Sequence, residues 1–399
     1  MYDVIVVGAR CAGSPTAMLL ARAGYRVLLL DRVRFPRDTL SSHYIHQPGT
    51  ALLARWGLLA TVRDSGCPPL ERVRYQAADV SISGCSPPVD GQRAGMAPRR
   101  HVLDPLLAGA AVAAGAELRQ ECRVDDLLFD GDRVTGVAYT TPRGRRSVER
   151  ARLVVGADGM RSLVARLAKA PTVTEDRRMT CTYYSYWEGL PVDFELYERP
   201  GRWIGVIPTN DALTLVMTYF PQADFDTVRA AAEPAYLEAV RTTAPRLFER
   251  MASARRVERL YGTGDQQNYL RRAAGPGWAL VGDAAHHKDS IAARGITDAF
   301  LQAQLLVESV ESTGAGLDDG ARLDAALARY AAELEQRFLG FYRSTLTTAE
   351  LRVAESRLCL LRAIAGRQDL VDRYFGTLSG ACGLDDFYNE DLLDLLALS

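Results

Sequence analysis

The chain has 399 residues, 48% hydrophobic and 24% charged, with a formal net charge of -1. That length is too great for one simple core and predicts two intertwined domains, or two plus an appendage. The charge balance gives no electrostatic case for nucleic acid or an anionic membrane, and no uninterrupted apolar run reaches the ~18 residues a membrane span needs.

The chain enters directly on YDVIVVG, a buried parallel strand, continuous, β-branched and ended by glycine. No basic leader precedes it. Residues 11–24 read as a helix, with Pro15 tolerated in the first turn. RVLLLDR is a second buried strand, so the first ~30 residues form a β-α-β unit. The turn inside it runs Gly8-Ala9-Arg10-Cys11-Ala12-Gly13, a G-x-G-x-x-G fingerprint with arginine at the middle glycine. Arginine fits there only with an allowed φ and its Cβ turned from the phosphates. Its guanidinium then either folds back onto a pyrophosphate or points to solvent. Asp31 ends the second strand and is placed to accept hydrogen bonds from ribose hydroxyls.

Residues 32–46 form an irregular loop, and QPGTALLARWGLL returns to helix. ERVRYQA and DVSISG are short strands, and 98–120 is an amphipathic helix leading to a strand. The segment from Cys122 to Gly159 is an antiparallel meander ending in the buried strand ARLVVG. Strand patterns recur between about 176 and 220, followed by helix over 225–252. WALVGDAAHH is one more buried strand running into a turn, and from Gly295 the chain is mostly helix. Seven cysteines (11, 67, 85, 122, 181, 359 and 382) are scattered without a C-x-x-C pair. They predict reduced thiols and a cytoplasmic protein rather than a disulfide frame or a zinc site. Neither His286 nor His287 pairs with carboxylates at metal-ligand spacing, so no metal is expected.

Two further motifs follow strands: GADGMRSLVAR at 156–166 and GDAAHHKDSIAARGITDA at 282–299. With the first fingerprint and Arg100 in RHVLD, they resemble the class A flavoprotein monooxygenases, the family typified by p-hydroxybenzoate hydroxylase. The resemblance implies an α/β fold. A Rossmann-like FAD-binding domain (1–70, 98–175 and 275–330) carries an inserted mixed β-sheet substrate domain (71–97 and 176–274). A C-terminal helical region (331–399) follows, packed on the FAD domain or on a second copy in a homodimer.

The resemblance also implies roles. Gly8, Cys11, Ala12 and Gly13, with Arg10 in the same turn, hold the FAD pyrophosphate. Asp31, beside Arg32, takes the adenosine ribose, and the backbone at Val124 touches adenine. Arg100 lies near the ribityl-phosphate side. Asp158 and Gly159 serve both FAD and a transient NADPH or NADH, and Asp283 binds the ribityl chain. Ala293, Gly295, Ile296 and Thr297 open a helix whose free N–H groups stabilise negative charge on the N1–C2=O edge of reduced flavin. The chain departs from the family at Ser290, where proline is usual, at Ala292 and Ala293, where glycine is favoured, and at Thr297, where asparagine is usual. FAD binding survives these changes, because alanine and threonine keep their N–H groups. The proline bears on the flavin hydroperoxide instead.

In TCTYYSYWEG, strand alternation puts Tyr184, Tyr186 and Glu188 on one face and Tyr183, Ser185 and Trp187 on the other. Tyr184, Tyr186, Trp187, Trp203 and Pro208 are the substrate-binding candidates, although an aromatic stripe also reads as ordinary core. His43 and His46 lie in the loop that approaches the isoalloxazine in the family. With a pKa near neutrality, either can serve as acid or base, and Tyr184 and Tyr186 complete the catalytic candidates.

The implied activity is a FAD-dependent, NAD(P)H-driven monooxygenase. It uses O2 and a flavin C4a-hydroperoxide to hydroxylate or epoxidise a small aromatic or polyketide-like molecule. The alternative is a FAD-dependent reductase resembling geranylgeranyl reductases. A flavin-dependent halogenase fits less well, since no lysine precedes Lys169 and RWIGVIP lacks the usual second tryptophan. A non-enzymatic FAD module leaves the aromatic sheet without a purpose. Neither nucleic acid nor membrane is expected as a partner.

Overall fold

The strand β1 (Tyr2–Val7), apolar from Val4 onward, the helix α1 (Gly13–Arg22) and β2 (Val27–Leu30) form the first crossover. Two glycines make its turn. Gly8 has φ +103°, and a Cβ there would stand 2.3 Å from the Ala157 carbonyl oxygen. A Cβ on Gly13 would stand 1.7 Å from the Gly8 carbonyl oxygen, so α1 docks against the turn only through glycine. The computed structural model describes residues 1–312, 314 and 317–397. Positions 313, 315 and 316, inside the span 275–330, and 398–399, ending the span 331–399, lie outside the described residues.

Next in order come α2 (Gln47–Arg55), β3 (Arg72–Ala77), β4 (Val80–Cys85) and α3 (Arg100–Ala113). They are followed by β5 (Glu117–Arg119), β6 (Arg123–Asp130), β7 (Arg133–Thr140) and β8 (Arg146–Gly156). β8 is used twice. Its first half pairs antiparallel with β7, Arg146 opposite Thr140, and its second half runs parallel to β1, Val4 opposite Leu153. The later strands are β9 (Thr180–Glu188), β10 (Phe194–Arg199), β11 (Arg202–Pro208), β12 (Leu213–Pro221) and β13 (Trp278–Leu280).

The parallel core of the first sheet has the order β13-β8-β1-β2-β5. Its strands β1, β2, β13 and the parallel half of β8 are largely buried on both faces, as their apolar runs require, whereas the edge strand β5 is partly exposed. A second sheet has the order β9-β12-β11-β10-β3-β4 and is mixed, because only β10 and β3 run parallel. Strand alternation in β9 separates two cores. Tyr184 and Tyr186 join Trp203, Met217 and Tyr219, whereas Tyr183 and Trp187 face three short helices between Phe225 and Met251.

The chain closes with α4 (Gly295–Glu311), α5 (Gly320–Ala349), α6 (Glu355–Ile364), α7 (Gln368–Ser379) and two shorter helices. α5 packs on α4, within the first core. α6 and α7 do otherwise than expected: they lie on β4 of the second sheet, where the Asp372 carboxylate accepts the Cys85 N–H at 2.9 Å. The cause is the apolar face Leu358, Leu361, Val371 and Phe375, which completes the Tyr184 core. The seven cysteines are all unpaired. Among the described residues, no helix is long and apolar enough to cross a membrane, and no cluster of three or more His, Cys, Asp or Glu could hold a metal ion.

Candidate active site

The C-terminal ends of β1, β2 and β8 open onto one cleft of about 1130 Å³. This is where ligands bind in open parallel sheets. Of the expected cofactor residues, Gly8, Arg10, Cys11, Ala12, Asp31, Arg32, Arg100, Val124, Asp158, Asp283, Ala293, Gly295 and Ile296 all line it. Gly13 lies behind the wall, in the turn it allows to close.

Thr297 is a correction. Its side chain is fully buried, and its hydroxyl accepts the His46 N–H at 2.9 Å. It fastens the loop to α4 instead of facing the cleft. Arg10 lines the cleft with its side chain partly exposed. Its guanidinium pairs with Asp104 of α3 at 2.7 Å. Asp104 is fully buried and also takes Arg100, at 2.9 and 3.2 Å. The Cys11 thiol, pushed up by burial, approaches the same carboxylate at 3.5 Å. Asp104 was missed in the sequence, yet the Arg100–Asp104 spacing on a helix is its signal. Asp31 braces the turn: its two carboxylate oxygens accept the N–H groups of Ala9 and Val33 at 2.7 and 2.9 Å.

Asp158 accepts from the Ser162 hydroxyl and from the Leu163 and Val164 N–H groups, at 2.5, 2.6 and 3.2 Å. It thereby holds the GADG turn against the cleft, and burial raises its pKa. At the opposite wall Ser290 stands where the family has proline. Its N–H and its hydroxyl both donate to Gln266 Oε1, at 3.0 and 2.5 Å, and the Tyr219 hydroxyl lies 3.0 Å away. Lys288, Asp298 and Arg294 form a buried ionic cluster on the same wall.

The loop 38–46 links this cleft to the second sheet. Asp38–Ser42 line the cleft, and His43 is fully buried behind them with φ +62°. His43 Nε2 meets the Tyr186 hydroxyl at 2.5 Å, and its Nδ1 has no hydrogen-bond partner among the described residues. Burial drives the His43 pKa down to about 3, with Asp38 opposing, and raises that of Tyr186, so both are neutral near pH 7. Arg99, unnoticed in the sequence, stacks 3.8 Å over the Tyr186 ring and pairs with Asp38 and Glu258 at 2.5 and 2.8 Å. His46 is also held neutral, its pKa lowered to about 3 chiefly by burial. Its Nε2–H donates to the Ala292 carbonyl at 3.2 Å, which braces the loop against the segment before α4.

None of the five substrate candidates lies on the cleft wall. Tyr184, Tyr186 and Trp203 share the sheet face turned toward the loop and α6–α7. Pro208 ends β11 there. Trp187 is a correction: it faces the other way, and its indole N–H donates to the Tyr236 hydroxyl at 3.0 Å. Alternation already separated it from Tyr184 and Tyr186.

The cleft fits a flavin adenine dinucleotide. Its volume exceeds the ~300–1,000 Å³ of drug-sized sites, two glycines keep the turn clear of Cβ atoms, and the N-termini of α1 and α4 both open onto it. The family model described as an FAD binding domain matches residues 1–332. A digeranylgeranylglycerophospholipid reductase of Methanosarcina acetivorans is 26% identical over 314 residues, which is 75% of this chain and 72% of that one. A triple mutant of a flavin-dependent brominase has a TM-score of 0.79 at 19% identity, covering 100% of this chain and 98% of its own. A myxobacterial chondrochloren halogenase, described as FAD-dependent, scores 0.78 at 24% identity, covering 100% and 96%. At such identities the structural likeness concerns the fold. The match to the FAD-binding model spans most of the chain, which belongs to that family of flavin-dependent oxidoreductases, the one that the class A flavoprotein monooxygenases typify.

Proposed function

We propose that the protein is an NAD(P)H-driven monooxygenase that uses O2 to hydroxylate or epoxidise a small aromatic or polyketide-like molecule. The observation that carries this reading is the junction at His43. One short loop forms cleft wall at Asp38–Ser42 and ends on the aromatic face of the second sheet at Tyr186. Bound FAD supplies hydride acceptance and oxygen activation; the chain supplies binding, orientation and control of protons. In this reading Tyr184, Tyr186 and Trp203 form the substrate wall. His43, neutral at working pH, takes up or returns a substrate proton, and Arg99 fixes the Tyr186 ring. The enzyme works in the cytoplasm, as a monomer or homodimer, with NADPH or NADH visiting the Asp158 side of the cleft.

A second reading is a FAD-dependent reductase of carbon–carbon double bonds. It is favoured by the digeranylgeranylglycerophospholipid reductases among the relatives and by Ser290 in the proline position. The Tyr186 hydroxyl would then deliver the proton that completes saturation.

The test is to reduce the purified holoenzyme with NADPH or NADH without oxygen, then admit 18O2 with candidate aromatic substrates. A product heavier by one labelled oxygen is the expected result. Anaerobic formation of a product heavier by two hydrogens would replace the monooxygenase reading with the reductase. Loss of product formation in Tyr186→Phe, with FAD still bound, would place the junction in the chemistry.

A further inference from the structure

Lys288 is one of only two lysines in the chain, and it is buried in the cleft wall. Its ammonium meets the carboxylate of Asp298, in the first turn of α4. Arg294, the residue before that helix, approaches the same carboxylate at 3.2 Å. All three side chains are 5% exposed or less. Burial raises the Asp298 pKa, but Lys288 and Arg294 outweigh it and hold the group at about 2, so it is ionised. Two cations therefore share one anion. The nearby carboxyls do not cancel the excess through contact. Asp289 is turned toward the Thr180 hydroxyl and the Ile291 N–H, and Asp283 forms no ion pair among the described residues.

A second observation concerns His286, two residues before Lys288. It is 3% exposed, lines the same wall, and neither ring nitrogen has a hydrogen-bond partner among the described residues. Buried polar groups are nearly always satisfied, so an unpartnered imidazole at a cleft wall calls for a partner from outside the chain, a ligand or an ordered water. Burying three charges is costly, and packed apolar residues are often no less stable there. Their position at the open N-terminus of a 17-residue helix adds their field to its dipole.

We propose that Lys288, seated by Asp298, is a fixed cation for the pyrimidine edge of the flavin, acting with the α4 N-terminus to make the ring easier to reduce. The inference rests on FAD lying in this cleft with that edge toward α4. A hydride from NAD(P)H carries two electrons to the ring and leaves an oxidised nicotinamide. Without a second proton the ring then bears one negative charge, which the ammonium attracts. Arg294 plays a different part. It reaches the Leu378 carbonyl at 3.1 Å and lies 3.6 Å over the Phe341 ring, so it fastens the C-terminal helices to the start of α4.

The experiment is an anaerobic titration of holoenzyme flavin against a redox dye, for wild type, Lys288→Arg, Lys288→Gln and the double variant Lys288→Gln/Asp298→Asn. The expected result is a loss in Lys288→Gln of about tenfold in the reduced-to-oxidised ratio at a fixed dye poise, with Lys288→Arg close to wild type. The double variant removes one positive and one negative charge, keeps the net charge of the cluster through Arg294, and is expected to shift the ratio less than Lys288→Gln. An unchanged ratio in Lys288→Gln, or a larger loss in the double variant than in Lys288→Gln, would overturn the proposal. Folded glutamine variants that carry no FAD would overturn it too, because Lys288 would then build the site rather than tune it. A wild-type protein that binds no FAD would instead end the reading on which the inference rests.

Discussion

Two buried carboxylates on or beside the cleft, Asp104 and Asp298, are each shared by two cations, but only one of the clusters can reach water. Asp104 pairs with Arg10 and Arg100, whose side chains are 27% and 11% exposed. Asp298 pairs with Lys288 and Arg294, which are 5% and 2% exposed. The first cluster ties α3 to the glycine turn across 94 residues. The second is local, within ten residues, and reaches the C-terminal helices through Arg294. The same motif thus gives an adjustable cation at the glycine turn and a fixed one at the α4 end.

The largest effect is expected where escape to solvent is least. Asp298→Ala strands two buried cations, and breaking a buried pair costs ~3–5 kcal/mol. The melting temperature should fall sharply and FAD should be lost on purification. Asp104→Ala should cost less, about 2–3 kcal/mol, because Arg10 can turn to water. A larger loss for Asp104→Ala than for Asp298→Ala, measured by denaturant titration, would break the comparison.

The α4 end has a second brace, His46, which binds Thr297 and Ala292. Its folded pKa, about 3, lies below the usual 6.5. Between those values the unfolded chain binds the extra proton, so stability is full above about pH 6.5 and falls on acidification toward pH 3. His43 adds a loss of the same sign over the same window. Each contributes a slope of ~1.4 kcal/mol per pH unit. His46→Gln should flatten the acid limb by about that amount. An unchanged slope would mean that His46 is protonated in the folded state.

Legibility differed between the two sheets. In the first, Val4–Val7 of β1, β2 and the end of β8 are continuous apolar runs, closed by Gly8, Asp31 and Gly156, and such runs have few alternatives. Thirteen of the expected FAD residues therefore fall on one cleft, since each motif sits where a strand ends. The second sheet gave its alternation but not its surroundings. Tyr186 was placed on the correct face, while Arg99, Asp38 and Glu258 come to it from three separate segments. Long-range ion pairs leave no local period in a sequence. Trp187 was misassigned because aromatic character was allowed to outweigh the strand period that had already turned it away. Thr297 was read through its N–H alone, whereas its hydroxyl had a partner 251 residues away.

The smallest expected effect, and the sharpest in sign, concerns Arg10→Gly. By fingerprint alone, this change restores the middle glycine and should tighten FAD. The pairing with Asp104 argues the reverse. Removing Arg10 leaves Asp104 with Arg100 only, and so reduces the positive charge beside the turn where a diphosphate would lie. The attraction of a partly exposed cation to a nearby diphosphate is worth ~1 kcal/mol, so the affinity of the apoprotein for FAD should weaken about fivefold. Stability should change little, because Asp104 keeps its two contacts to Arg100. Fluorescence quenching of FAD by the apoprotein measures this directly, and ADP as competitor confines the effect to the diphosphate end. Tighter binding in Arg10→Gly would show that close backbone approach matters more here than charge. The arginine would then be a tolerated defect, and the Asp104 cluster would serve only to join α3 to the turn.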